Sequence, residues 1–142
     1  GPYPPRIDQT TVFTDHWSLA NPSNDMTGAK ITAILLPGVA WKAQVRANGT
    51  AVLPTYNSKT STLTWTLGTL PSGVGVAFPA YEVFFQLAVT PSANQVGQSV
   101  PLLKDVTFEG TDVLTKERIV RTVADITTSS VIDSREGGNV RP

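Results

Sequence analysis

Thr62-Leu63-Thr64-Trp65-Thr66-Leu67-Gly68 and Tyr81-Glu82-Val83-Phe84-Phe85-Gln86-Leu87-Ala88-Val89-Thr90-Pro91 change side with nearly every residue and stop at Gly or Pro. That period belongs to half-buried strands, and no stretch of the chain keeps a helical one. The same reading predicts a strand at 10–20, with Phe13, Trp17 and Leu19 on one face and His16 and Ser18 on the other. Gly28 opens a second, in which Ala29, Ile31, Ala33 and Leu35 oppose Lys30, Thr32, Ile34 and Leu36. Apolar residues on both of its sides point to a central strand, or to one whose outer face is covered. Val39, Trp41, Ala43 and Val45 then alternate with Lys42, Gln44 and Arg46.

Turn chemistry separates these runs. Asn21-Pro22-Ser23-Asn24-Asp25, Pro37-Gly38 and Asn48-Gly49 are dense in residues that fix φ or bond their own backbone. Residues 51–56 and 62–67 read as a hairpin. Leu70-Pro71-Ser72-Gly73-Val74-Gly75 is too rich in Gly for regular structure, and 91–97 is a loop with room for one helical turn. Strands are expected at 80–90, 102–109 and 118–127, joined in the last case through Gly110-Thr111-Asp112 and Lys116-Glu117. In the final strand Val120, Thr122, Ala124 and Ile126 are expected inward and Arg121 and Asp125 outward. About eight short strands with turns every ~8–12 residues favour an all-β antiparallel sandwich over a parallel sheet, which needs helical crossovers. The tryptophans Trp17, Trp41 and Trp65 are evenly spaced, but their neighbours differ, so no internal repeat is read.

Composition narrows the function classes. A chain of 142 residues makes one domain with room for a core. Only 15% is charged, against a typical ~25%; Thr, Ser, Asn and Gly take the place of charge, as in many extracellular β-proteins. Net charge is zero with no basic stripe, which disfavours nucleic acid and anionic membranes. The absence of cysteine excludes disulfides and thiolate metal sites. No apolar run approaches the ~18 residues of a membrane span, so no membrane insertion of this segment is expected. Gly1-Pro2 resembles the remnant of a cleaved tag, and Tyr3-Pro4-Pro5-Arg6 reads as an extended Pro-rich lead-in. The expected division is a tag remnant and linker at 1–9, the sandwich at 10–128 and a C-terminal linker at 129–142.

Four constellations could carry chemistry. His16 beside Asp15 suggests a catalytic base, but adjacent strand residues point to opposite faces, so Asp15 cannot orient His16 from there. Asn24, Asp25, Asp105, Glu109 and Asp112 could gather oxygens for Ca²⁺, yet no run has the regular ligand spacing, and turn capping accounts for Asn24-Asp25. Trp17, Trp41 and Trp65 could form a sugar-stacking platform; each is in phase with aliphatic neighbours, which favours burial. An isopeptide crosslink would need Lys30 or Lys104 beside Glu82 or Asp105 in the interior; lysines that carry their ammonium out to water are far commoner. No catalytic, cofactor-binding or metal residue is assigned, and the protein is not expected to be an enzyme.

Four segments resemble one family. Leu19-Ala20-Asn21-Pro22-Ser23-Asn24-Asp25 is similar to its strand end, and Leu36-Pro37-Gly38-Val39-Ala40-Trp41 to its turn. Thr64-Trp65-Thr66-Leu67-Gly68-Thr69-Leu70-Pro71-Ser72-Gly73 resembles its hairpin exit, and Phe85-Gln86-Leu87-Ala88-Val89-Thr90-Pro91 its penultimate strand. These are the motifs of the immunoglobulin-like "conserved repeat" modules of large bacterial and archaeal surface proteins. They span about residues 12–127; Asn21-Pro22-Ser23 departs from the usual Asn-x-Gly. The resemblance implies a tandem stalk or adhesion module with no catalytic residues.

The expectation is an immunoglobulin-like antiparallel β-sandwich of about seven to nine strands, extracellular or at the cell surface, without cofactors. It would serve as a non-catalytic structural or adhesive module of an exported microbial surface protein, a rigid stalk or an interaction domain. Its partners would be neighbouring domains of the same chain and a surface protein or glycan, with no nucleic acid. The rivals are a carbohydrate- or protein-binding module working through loops 68–79 and 91–101, an accessory domain of a secreted enzyme, and a phage or virion surface domain.

Overall fold

The computed structural model describes residues 6–98, 100–122 and 126–127. Nine strands run through these residues: β1 (Thr11–Leu19), β2 (Met26–Leu35), β3 (Val39–Asn48), β4 (Thr55–Asn57), β5 (Thr62–Leu70), β6 (Tyr81–Val89), β7 (Pro101–Asp112), β8 (Arg118–Thr122) and β9 (Ile126–Thr127). One 3-10 turn, Ala93–Gln95, falls in the loop expected to hold a helical turn. Strands β1, β6 and β3 form one sheet in that order; β4-β5-β2-β7-β8 form the other, with β9 also on β7. All the strand pairs within the sheets are antiparallel. The expected immunoglobulin-like sandwich is thus the arrangement found, and β2 is central, between β5 and β7.

Alternation decides what each strand buries. Phe13 and Trp17 of β1, Val83, Phe85 and Leu87 of β6, Ile31, Ala33 and Leu35 of β2, Leu63 and Trp65 of β5, and Leu102, Leu103 and Val106 of β7 form one core between the sheets. Its centre is aromatic. Trp17 stacks on Trp65 with ring centroids 6.4 Å apart and meets Phe85 edge-on at 5.0 Å. Trp41 lies 5.7 Å from Phe85 and 6.0 Å from Tyr56. Contacts of this kind join strands of both sheets and add to the area each ring hides. The Trp65 indole N–H donates to the Val52 carbonyl at 3.0 Å, so its polar edge is satisfied.

Pairing, which sequence pattern does not contain, moves several boundaries. β5 and β7 run past the expected ends, and Gly110-Thr111-Asp112 belongs to β7. There Thr111 pairs with Thr27 and Arg118, and Asp112 with Met26, so backbone partners hold the segment extended. The 51–56 strand shrinks to β4, although its hairpin with β5 stands. Asn48-Gly49 is not a hairpin turn, because β3 and β4 lie in different sheets and 49–54 crosses between them. Gly49 is needed there for another reason: it has φ 78°, and a Cβ would come within 2.4 Å of the Ala80 carbonyl oxygen. The inward facing expected for the last strand fails at Val120 and Thr122, which are exposed, while Arg121 is exposed as expected. Val120 pairs opposite Glu109 on the outer face and is exposed, whereas Ile119 pairs opposite Gly110 and is half-buried. The register with β7 sets this. Ala124, Asp125, residues 1–5 of the expected 1–9 linker and the whole of the expected 129–142 linker lie outside the described residues.

The sandwich has two poles. At the lower one Thr11 pairs with Val89, Leu35 with Leu103 and Thr127 with Pro101. At the upper one Leu19 pairs with Tyr81, and Met26 with Leu70 and Asp112. Ile7 packs against the core, and the Asp8 N–H donates to the Pro91 carbonyl at 3.0 Å, so residues 6–9 are also at the lower pole. The described chain therefore begins and finishes at the same end.

Candidate functional site

Three loops, 20–25, 71–80 and 113–117, close the upper pole. Asn21, buried to 2% exposure, is their hub. Its N–H donates to the Val74 carbonyl and its carbonyl accepts from Gly73. Its side-chain amide donates to the carbonyls of Asn24 at 2.8 Å and Leu70 at 3.0 Å, while its Oδ1 accepts from the Ser23 N–H. Asp25 ties two more segments: its Oδ1 accepts from the Ser72 N–H at 2.7 Å and its carbonyl accepts from Val113. The Gly73 carbonyl takes the N–H groups of Val76, Ala77 and Phe78, and Gly75 donates to Phe78. Gly75 has φ 77°, and a Cβ there would lie 2.6 Å from that of Ala20.

A loop so pinned holds its apolar residues out in water. Val76 is 71% exposed, Phe78 61% and Leu114 75%. Beside Phe78 lies an apolar groove of about 380 Å³ lined by Gly49, Pro71, Val74, Phe78, Pro79 and Tyr81. Rings and prolines of this kind offer flat apolar faces and few hydrogen-bonding groups. Exposed apolar surface beside such a groove makes this pole the candidate contact site. The sequence signal was Val76 and Phe78 beside a stretch too rich in Gly and Pro to bury them as a strand.

The constellations read from sequence are dispersed. His16 faces outward: its ring stacks on Phe84 with centroids 4.3 Å apart, and the Arg46 guanidinium sits 4.6 Å from the centre of the same Phe84 ring. Glu82 is 3.9 Å from its Nε2. Asp15 faces the opposite way, into the core, and its Oδ1 accepts only the backbone N–H of His16. As the alternation required, the pair makes no ring-to-carboxylate contact. Sequence reading missed that Asp15 shares the buried face of Phe13 and Trp17. Its Oδ2 has no hydrogen-bond partner, and burial pushes the carboxyl up to about 6, against the opposing pull of the His16 N–H and the His16 charge.

The proposed oxygen ligands have other work. Asp112 Oδ1 accepts from Leu114 and Thr115 N–H groups at 2.9 Å each, and Asn24 donates to its Oδ2 at 3.2 Å. The Thr115 N–H first, then Asn24 and Leu114, hold its carboxyl below the usual range. Glu109 is on the outer face between Lys30, 2.9 Å away, and Arg118. The Lys30 hydrogen bond, with the charges of both cations, lowers its pKa. Asp105 is exposed. No group of three or more potential metal ligands forms among the described residues. The isopeptide candidates are not interior: Lys30 pairs with Glu109, Lys104 and Asp105 are exposed, and Glu82 lies beside His16 on the outer face. Trp17 and Trp65 are buried and Trp41 half-buried, so the three form no surface platform. The two loops expected to bind together, 68–79 and 91–101, are at opposite poles. Among the described residues no helix is long and apolar enough to cross a membrane.

No known family profile matches the chain, and no curated protein does. The resemblance to the conserved-repeat modules is therefore unsupported by a family match. Solved structures do match its fold. The three N-terminal domains of the type V pili tip protein Mfa5 from Porphyromonas gingivalis align with 72% of this chain at 15% identity and a TM-score of 0.52. Domains D2 and D3 of the major pilin SpaD from Corynebacterium diphtheriae align with 87% at 11% identity and 0.47, and the major pilin subunit BcpA of Bacillus cereus with 84% at 10% and 0.47. The aligned region spans 21% of the Mfa5 chain and less than half of each of the others.

Proposed function

We propose that this domain is a non-catalytic interaction module of an exported microbial surface protein, held at its lower pole and presenting its upper one. The observation that carries this is the placement of the described residues: 6–9 and β9 share one pole, and the hydrogen-bonded loops with exposed Val76, Phe78 and Leu114 are at the other. A stalk segment loaded in line is a weaker reading. Tension applied at two points on one pole would peel strands apart a hydrogen bond at a time instead of shearing many at once. The aromatic core supplies the stiffness that holds the loops in one shape. The fold likeness to a pili tip protein agrees with this reading without carrying it.

The test is where the domain resides. Antibody raised against it should label intact cells of the source organism, and protease added outside should remove the label. Labelling only after cell lysis would overturn the proposal.

A further inference from the structure

We propose that the groove at the upper pole receives the Pro-rich lead-in Tyr3-Pro4-Pro5 of a second copy of this chain, so that copies associate head to tail. This goes beyond the function proposed above and rests on different observations: the lining of one groove and the composition of one segment.

The groove first. Pro71, Pro79 and Val74 line it together with the rings of Phe78 and Tyr81. Gly49 lines it too, at a point where its backbone lies too close to Ala80 and Tyr81 for a side chain. Proline rings in polyproline II form dock on aromatic-lined grooves of this kind, because each presents a flat apolar face and has little conformational entropy left to lose. The groove is also pre-shaped: the Gly73 carbonyl and the Gly75 N–H hold Phe78 by its backbone.

The ligand is in the sequence. Pro4 and Pro5 each fix φ near −65°, and Tyr3 adds a ring of its own. This segment cannot reach the groove of its own domain. Arg6–Gln9 is seated at the lower pole beside Pro91. The upper pole is a strand away: the nine residues of β1 cover roughly 30 Å at ~3.3 Å each. Tyr3 lies three residues before Arg6, a reach of about 11 Å at full extension. Seated in this groove, the segment therefore comes from another copy. A contact that joins one pole to the other is heterologous and repeats along a line.

Two measurements test this. First, an acetylated, amidated peptide of residues 3–9 (Tyr-Pro-Pro-Arg-Ile-Asp-Gln) is titrated into the full chain and followed by amide NMR. Saturable shifts are expected at Gly49 and 71–81, with the peptide in which both prolines are alanine binding about tenfold more weakly. No saturable shift at about 1 mM peptide, shifts centred elsewhere, equal binding of the two peptides, or shifts of this groove by a neutral disaccharide but not by the peptide would each overturn the proposal. Second, Phe78→Ser removes a groove wall and Pro4→Ala with Pro5→Ala removes the ligand. Each chain alone should sediment as a monomer where the parent associates, and their equimolar mixture should form pairs and nothing larger. A parent chain that stays monomeric, a proline-free chain that still associates, or a mixture that stays monomeric would overturn it. Should Phe78→Ser fail to give a β-sheet circular dichroism spectrum, the proline-free chain and the two peptides decide alone.

Discussion

Asp15 is the residue most at odds with its surroundings. It projects between Phe13 and Trp17 into an apolar core with one carboxylate oxygen unpartnered, and its carboxyl is pushed up from 3.8 to about 6. The folded state therefore binds its proton more tightly than the unfolded chain. This contribution is complete below about pH 4, is lost as pH rises from about 4 to 6, and is absent above, a difference on the order of 3 kcal/mol. Asp15→Asn should accordingly raise stability at pH 7.5 by up to that amount and change little at pH 3.5, as read by urea denaturation at the two values. Equal effects at both would mean that charge is not the cause. Glycine offers a second contrast at this scale. Gly49→Ala drives a Cβ into the Ala80 carbonyl, whereas a Cβ at Gly68 meets nothing within 4 Å although φ is 74°. Gly68→Ala should cost about 1 kcal/mol from backbone strain alone, and Gly49→Ala at least 2 kcal/mol more, roughly the penalty of forced overpacking; thermal denaturation of the pair measures the gap.

Among elements, β5 and the loop after β1 carry the largest consequences. Trp65 is fully buried, stacks on Trp17 across the sandwich and donates to Val52. Trp65→Ala should cost about 3–5 kcal/mol, and calorimetry should find the whole domain melting earlier in one transition. Asn21 acts locally. Asn21→Ala would strip the buried Leu70 carbonyl and the Asn24 carbonyl of their donor, at about 2–4 kcal/mol for two groups left short of a partner. Hydrogen exchange should accelerate in 20–25 and 71–78 first, with 90–98 at the far pole unchanged. Acceleration spread evenly over both poles would show that Asn21 supports the whole sandwich and not the upper loops.

For the whole molecule, the pole shared by residues 6–9 and β9 makes a mechanical prediction. Handles at Ile7 and Thr127 should unfold the domain at lower force than handles at Ile7 and Leu114, which load β1 and its neighbours lengthwise. Equal forces in single-molecule pulling would favour an in-line stalk after all.

How far the sequence went follows from the range of each interaction. Alternation is local, so it was enough to set Phe13 and Trp17 on one face of β1 and to put Trp17 and Trp65 in the core. Turn residues are local too, and Asn21–Asp25 closes a loop as read. Everything that depended on a distant partner was decided by the folded chain. The register with β7 turned Val120 outward. Pairing with β2 and β8 drew Gly110–Asp112 into a strand. The crossing from one sheet to the other made Gly49 a point of close approach and not a hairpin turn. The groove at the upper pole also arises this way, because Gly49, Pro71 and Tyr81 come from three separate strand ends that only the pairing of β6 with β3 and the loop bonds of Asn21 bring together. Side-chain pattern reports which face avoids water; which strands meet, and in what register, depends on hydrogen bonds between residues far apart in the chain.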